Sequence, residues 1–329
     1  MKENLRIGYT PFSMSGNAYG ARMLNILSSF GNVVRVWKIV NLLPWKRLDV
    51  AILNWTENEL IDKKTGHPSY GGAVLVLLRI LFVRLASRKV VFVRHNVYPH
   101  DVQEADRARL TRWVDQLESL VHQRWIHSGH LANTWHEYVP HPRYEWPVVT
   151  DRVAALAGDS PYYVIFGRIL PYKGIHNLLP HLDRNLRLVI CGPASDAVYL
   201  QRLRELAGPN VRFIPKFTSE AEAAKLVAES EGLILASSDD DMIVSGSLIY
   251  GVSMGATIFC VGSAFSQWLT DRFPAAAMFT APDAPSLARI LSQAAKAPAA
   301  KRDNAELLSH LSDSSCRHYI EQAFIKLGV

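Results

Sequence analysis

The sequence predicts an α/β protein built from two Rossmann-like domains that face a cleft. Three observations carry that expectation. The chain's 329 residues correspond to about two domains at roughly 150 residues each. Short β-branched apolar runs alternate with helix-length stretches almost from end to end, the rhythm of parallel sheets covered on both faces. A Pro-containing stretch (Pro140, Pro142, Pro147) breaks that rhythm near the middle. We expect a first domain over 1–145 and a second over 146–329, with the linker near 140–158 and the last helix a candidate to return to the first domain.

In the first half, Leu5–Tyr9, Val33–Val36, Val50–Leu53 and Val90–Val93 have strand length and composition. Between them, Tyr19–Phe30 and Gly71–Ser87 have helical length and periodicity. After residue 158 the strands continue as Tyr162–Phe166, Leu186–Ile190, Val211–Ile214, Leu233–Leu235 and Thr257–Val261. Helices fit at Ile175–His181, Ala197–Ala207, Ser219–Ser230 and Ser247–Met254. Gly71–Ser87 holds Arg79 and Arg84 and is shorter than the roughly 20 apolar residues of a membrane span. We take it as a buried crossover helix with solvent-side arginines. The competing reading lays it on an anionic membrane, with Arg79, Arg84 and Arg88 on phosphates.

Composition narrows the function classes. A mean hydropathy of +0.03 excludes disorder. The cysteines Cys191, Cys260 and Cys316 are too far apart for a disulfide scaffold or a Cys-based zinc site, and Cys191 and Cys260, in apolar runs, read as small core residues of a reduced, cytosolic protein. No apolar stretch near the amino terminus reads as a secretory signal. Residues 1–158 carry 20 Lys/Arg against 13 Asp/Glu, whereas 159–329 carry 16 against 17. Seven of the eight Trp also lie in the first part. A basic, Trp-rich half suits a phosphorylated or lipid-borne ligand. With no helix-turn-helix, finger or RNA-binding signature, nucleic acid is the least supported partner.

In open parallel sheets ligands bind beyond the carboxyl ends of strands, so the loops there hold the candidates. The loop Pro11–Gly20 lacks G-x-G-x-x-G, which argues against a dinucleotide-binding dehydrogenase; its Gly16, Asn17 and Tyr19 are candidates to hold a hydroxylated or anionic acceptor, against the equal alternative of a purely structural turn. Leu53–Glu57 (LNWTE) puts Glu57 at a carboxyl edge as an acid or base, against the blander reading of an exposed loop glutamate. Val93–Asp101 (VRHNVYPHD) groups His95, Asn96, His100 and Asp101, types suited to proton transfer and hydroxyl binding. Asp101 competes as N-cap of a helix starting near Val102, with Glu104 at its third position. Gly167–Gly174 (GRILPYKG) sets Arg168 and Lys173 in a Pro-constrained turn that forms a diphosphate cradle, with Gly174 opening a helix whose amides add donors. Ser245, Gly246 and Ser247 offer amides and hydroxyls at another helix start. The run Asp239–Asp241 matches D-x-D superficially and reads better as a solvated loop.

FGRILPYKG is similar to the donor-phosphate loop of the two-Rossmann-domain (GT-B) glycosyltransferases. Together with LNWTE, VRHNVYPHD, RLTRWVDQLE and VSGSLIYGVSMG, it resembles the bacterial β-mannosyltransferase family of xanthan-type exopolysaccharide assembly, in the same order from about residue 5 to about residue 265. The resemblance implies a metal-independent transferase with no cofactor, moving mannose from GDP-mannose to a polyprenyl-diphosphate-linked saccharide with inversion, in exopolysaccharide or capsule synthesis. It would act as a cytoplasmic protein peripheral at the inner face of the membrane. Arg168 and Lys173 would bind the diphosphate, Ser245, Gly246 and Ser247 the phosphate or ribose, and His95 would face the sugar. The catalytic base is sought among Glu57, Asp101 and His95, ranked in that order. Met242 and Tyr250 stand where larger retaining relatives carry a glutamate pair. Alternatives are a retaining GT-B transferase with a UDP-sugar donor, a GT-B-like nucleotide-sugar epimerase, and a non-catalytic nucleotide-binding partner.

Overall fold

Strands with apolar side chains on both faces are stable only where helices cover both faces, and the molecule is built on that rule. The computed structural model describes residues 4–12, 18–37, 47–99, 102–145, 160–237, 241, 243–296 and 303–329. The described chain divides into two units: Met1–Pro142 with Asp241–Val244 and His310–Val329, and Arg143–Asp240 with Ser245–Ser309.

The first unit runs β1 (Leu5–Thr10), α1 (Ala18–Ser28), β2 (Gly31–Arg35), β3 (Leu48–Asn54), a 3₁₀ turn (Thr56–Leu60), α2 (Tyr70–Ala86), β4 (Ser87–Arg94), α3 (Arg107–Ser119), β5 (Gln123–Ile126) and β6 (His136–Tyr138). Its sheet has the order β2-β1-β3-β4-β5-β6, and each pair is parallel. All seven residues of β3 are buried, as a central strand requires. Strands β5 and β6 escape the sequence pattern because they are short and polar. The helix expected near Val102 begins instead as a 3₁₀ turn at Glu104–Asp106, preceded by Gln103 at the N-cap position, and becomes α-helical at Arg107, which corrects the expected start. Asp101 itself lies outside the described residues.

The second unit runs β7 (Tyr163–Phe166), the single turn α4 (Ile175–Leu178), β8 (Leu188–Cys191), α5 (Ala197–Leu206), β9 (Val211–Ile214), α6 (Glu220–Ala228), β10 (Gly232–Leu235), α7 (Gly246–Ser253), β11 (Ile258–Val261), α8 (Ala264–Arg272), β12 (Met278–Ala281), α9 (Ala284–Lys296) and α10 (Ala305–His310). Its sheet, β12-β11-β10-β7-β8-β9, is also parallel throughout. The order turns at β7, whose two neighbours, β8 and β10, leave in opposite directions. The loop after β7 therefore opens at the point where ligands bind in such sheets. The three cysteines are free and buried.

The last helix, α11 (Asp313–Leu327), packs in the first unit. Its Cys316, Ile320, Ala323, Phe324 and Leu327 join the core formed by α1, β1 and β3. Polar contacts fix its register: Arg22 pairs with Asp313, and Lys326 Nζ reaches Glu137 at 2.7 Å.

Helix α2 departs from the expectation of a buried helix with solvent-side arginines. Val76, Ile80, Val83 and Ala86 are buried, but the outer face carries Tyr70, Val74, Leu78, Leu81, Phe82 and Leu85, all exposed, Leu85 by 78%. The run is apolar on both sides, and only one side finds the sheet.

Phe324 is fully buried with its ring 5.5 Å from Phe30 and 5.7 Å from Trp125. Phe324→Ala should cost about 3–5 kcal/mol, read as a lowered denaturant midpoint for the first unit's transition. The second unit's transition should stay in place.

Candidate functional site

At the carboxyl edge of the first sheet the chain leaves β3 through Trp55, whose φ of 50° places a bulky residue in the left-handed region. That conformation costs roughly 1–2 kcal/mol. It is held by the stack of Trp55 on His95, 4.3 Å between centroids and 17° between planes, and by the edge of Tyr19 at 5.4 Å. Asn54 ties three elements together. Its Nδ2 donates to the Thr10 carbonyl at 3.0 Å, which fixes Oδ1 as acceptor. His95 Nε2 therefore donates to Asn54 Oδ1, at 3.0 Å. His127 Nδ1 donates to the Val139 carbonyl at 2.8 Å, so its Nε2 accepts the Tyr19 hydroxyl proton, also at 2.8 Å. Burial pulls His127 down to about 4. It pulls His141 to about 3, helped by its proximity to His127. Both are neutral imidazoles at physiological pH.

Glu57 occupies the first turn of the 3₁₀ segment and is 0% exposed, so the blander reading of an exposed loop glutamate is overturned. The turn buries it because Leu60 of the same segment anchors in the core. Asn96 Nδ2 donates to Oε1 at 3.4 Å, and Oε2 has no hydrogen-bond partner among the described residues. Loss of solvent raises its pKa to about 7; its own amide and Asn96 oppose the rise, Glu118 adds to it and Arg94 opposes it. The loop carrying His95 and Asn96 is braced by Arg94. Its Nη1 lies 2.7 Å from Asp115 and 3.2 Å from Glu118, while Nε and Nη2 donate to the carbonyls of Asn96 and Val97. Glu118 also meets His136 Nε2 at 3.3 Å.

Thus Glu57, His95, Asn96 and Tyr19 come together in one buried polar cluster. Tyr19, expected on an acceptor, spends its hydroxyl proton inside the cluster. Gly16, Asn17, His100 and Asp101 lie outside the described residues. Sequence reasoning missed Asn54, Arg94, His127 and His141 as members. Asn54 and Arg94 were legible as part of LNWTE and VRHNVYPHD, whereas His127 and His141 stand alone in the chain and carry no local signal. A cavity of about 460 Å³ lined by Leu5, Asp49, Arg88, Lys89 and the chain end lies at the opposite, amino-terminal edge of this sheet.

In the second unit the loop after β7 holds the candidate donor residues. Gly167 has φ of 105°, and a Cβ there would fall 2.8 Å from Lys173 Nζ and 3.7 Å from Ser247 Oγ. Lys173 and Ser247 therefore converge over a bare backbone position. Lys173 Nζ donates to the Phe166 carbonyl at 3.2 Å. Burial, then the charge of Arg168, lowers its pKa to about 8. Arg168 is exposed. Ser245 caps α7, its hydroxyl accepting the Leu248 amide at 3.2 Å, which leaves Gly246 and Ser247 in the first turn, where amides have no intrahelical acceptor. Gly174 does not open a long helix: α4 is four residues, and the Gly174 amide donates to Pro171. Its left-handed φ of 64° and the Ala236 carbonyl, 2.5 Å from where a Cβ would lie, require glycine for steric reasons. Phe166 stacks on Tyr250 at 5.0 Å. Among the described residues no group of three or more His, Cys, Asp or Glu is placed to hold a metal; Asp239 and Asp240 lie outside them.

The buried acid fixes a pH signature. Between about pH 4.5 and 7 the folded state binds the Glu57 proton more tightly than the unfolded chain, so stability present below 4.5 is lost as pH rises through 7. Glu57→Gln should remove that loss and gain up to about 3 kcal/mol at pH 8, with little change at pH 4. The histidines act oppositely. Their contribution is present above about pH 6.5 and is lost as pH falls through about 4 for His127 and about 3 for His141. Melts of both proteins across this range read the two limbs; parallel curves for wild type and variant would refute the assignment.

No protein-family model matches the sequence, and no curated protein matches it. Solved structures are similar in fold. HepE of Anabaena in complex with UDP has a TM-score of 0.67 at 12% identity, over 98% of this chain and 100% of that one. The UDP-forming α,α-trehalose-phosphate synthase of Burkholderia xenovorans, in complex with glucose-6-phosphate, has 0.59 at 13%, over 92% and 77%. AviGT4, a glycosyltransferase involved in avilamycin A biosynthesis, has 0.54 at 14%, over 98% of each chain. With its two six-stranded parallel sheets, the chain has the two-domain α/β fold of the GT-B glycosyltransferase structures.

Proposed function

We propose that the protein is a hexosyltransferase that moves a sugar from a nucleotide-sugar donor, GDP-mannose in first place, to a polyprenyl-diphosphate-linked saccharide. The reaction inverts the anomeric centre, uses no metal, and serves exopolysaccharide or capsule synthesis at an anionic membrane face in the cytoplasm. The observation that carries this reading is the convergence of Lys173 Nζ and Ser247 Oγ over the side-chain-free Gly167 at the strand-order turn of the second sheet. A diphosphate is the group such a cradle suits, since an ammonium, a guanidinium and first-turn amides all favour negative charge.

In the step proposed, an acceptor hydroxyl oxygen bonds to the anomeric carbon as the bond to the donor phosphate oxygen breaks. The nucleoside diphosphate leaves with the bonding pair, and the hydroxyl proton passes to a base. Arg168 and Lys173 offset the charge gathering on the leaving oxygen. Lys173, at about 8 in the free protein, is mostly cationic at neutral pH, and a diphosphate beside it would raise its pKa. Donor affinity should therefore fall as pH climbs past about 8. Calorimetric titration of GDP and UDP across pH reads this, and Lys173→Arg should move the fall to higher pH. Arg168→Ala and Lys173→Ala should each cost donor use on the order of 1.5–3 kcal/mol. Normal turnover in both variants would refute the cradle.

For the base, Glu57 ranks first because a proton affinity near neutrality suits the role. Since solvent does not reach it, the acceptor meets it only when Asn96 gives way. Asp101 and His95 follow; the Nε2 proton of His95 is committed to Asn54. Removing the base should depress turnover by about a hundredfold or more while nucleotide binding persists. Glu57→Gln offers a clean separation: a variant more stable at pH 8 yet inactive marks a chemical role, while one more stable and fully active passes the role to Asp101→Asn or His95→Ala.

A second reading, a transferase using a UDP-sugar, is favoured by the HepE structure in complex with UDP. Thermal shift with GDP against UDP separates the two. Breakdown or isomerisation of the donor without an acceptor would instead mark an epimerase.

A further inference from the structure

A crossover helix in water turns polar side chains outward; α2 does the reverse. Tyr70, Val74, Leu78, Leu81, Phe82 and Leu85 follow the spacing i, i+4, i+8, i+11, i+12 and i+15 and form one exposed stripe. With Leu75 and Leu77 at its margins, the stripe spans about 160° of the helix at 3.6 residues per turn. Arg79 and Arg84 fall just outside its two edges. Both are held there: Arg79 lies 3.7 Å from Glu59 and over the ring of the partly exposed Trp37, and Arg84 donates to the Leu120 carbonyl. The sequence has no Asp or Glu between Asp62 and Asp101 but seven Lys or Arg.

The occupant of this face follows from that charge. A second copy would bring like-charged rims together, whereas an anionic lipid surface supplies apolar depth under the stripe and phosphates at its rim. Seventeen residues make a helix about 25 Å long, short of the bilayer's roughly 30 Å core, and no helix among the described residues is long and apolar enough to cross a membrane. The helix fits lying in the plane of the interface, where aromatic rings such as Tyr70 and Trp37 are favoured.

We propose that α2 is an in-plane membrane anchor, its apolar stripe sunk into the acyl region of an anionic bilayer and Arg79, Arg84, Arg88 and Lys89 on lipid phosphates. The proposal rests on, and deepens, the membrane-surface reading above. It replaces a purely electrostatic attachment with an inserted one, so binding should survive salt that screens surface charge.

The test uses the full chain and flotation with phosphatidylcholine vesicles, alone or with about 30% phosphatidylglycerol, at about 0.1 and 0.5 M salt. The wild type should favour the anionic vesicles and keep part of its binding at high salt. The variant Leu78→Asn/Phe82→Asn/Leu85→Asn changes only exposed positions; it should melt as wild type, bind nucleotide as wild type, and lose vesicle affinity by at least about a hundredfold. Independently, a polarity-sensitive dye on Phe82→Cys, attached selectively because the native cysteines are buried, should shift to the blue on adding vesicles. Unchanged binding by the triple variant, complete loss at high salt, or a wild-type dimer that the variant dissolves would each overturn the anchor. Nucleotide binding is read separately, so an anchor without nucleotide binding refutes the transferase alone.

Discussion

A parallel strand can be reached only by a crossover over one face of the sheet, and this constraint orders everything else in the molecule. Each crossover returns the chain to the same edge, so every strand leaves its sheet toward the carboxyl side. Trp55, His95 and His127 follow three neighbouring strands of the first sheet and are brought within ring contact. Gly167 and Ser247 arrive in the same way from the loops after β7 and β10. Both clusters follow from topology, with each strand contributing only a residue or two.

The two clusters solve the problem of buried polarity differently. In the first unit, neutral imidazoles, a tyrosine and an asparagine satisfy one another by direction: each carbonyl or amide oxygen accepts, which dictates the tautomer of His127 and the donor atom of His95. The charge beneath them is confined to Arg94 with its carboxylate partners and to Glu57, where desolvation outweighs the help it receives. In the second unit two like charges stay close together, with Arg168 on the surface and Lys173 drawn inward. A pair of cations left in this state is what an anionic ligand would relieve.

Helix α2 shows the cost of covering a sheet with a segment apolar on every side. One side of it satisfies the sheet, and the other stands outside with arginines at its borders. Burying that stripe in lipid needs no change in the protein. The GT-B fold fixes where the helix runs, while its outer composition is a property of this chain.

The sequence by itself determined the alternation of strands and helices, hence the parallel two-domain fold, and it marked the Gly167–Gly174 loop by its glycines and its two cations. These are readable because strand burial, glycine conformation and paired cations are local properties of the chain. Tertiary structure decided the rest. The burial of Glu57 depends on Asn96 and on the anchoring of Leu60, 39 residues and three residues away respectively. His127 joins the cluster through a hydroxyl 108 positions earlier in the chain. The docking of α11 on the first core likewise joins segments far apart in sequence. The inner and outer sides of α2 are equally apolar in the sequence, and which of them meets water is set only when the sheet claims the other.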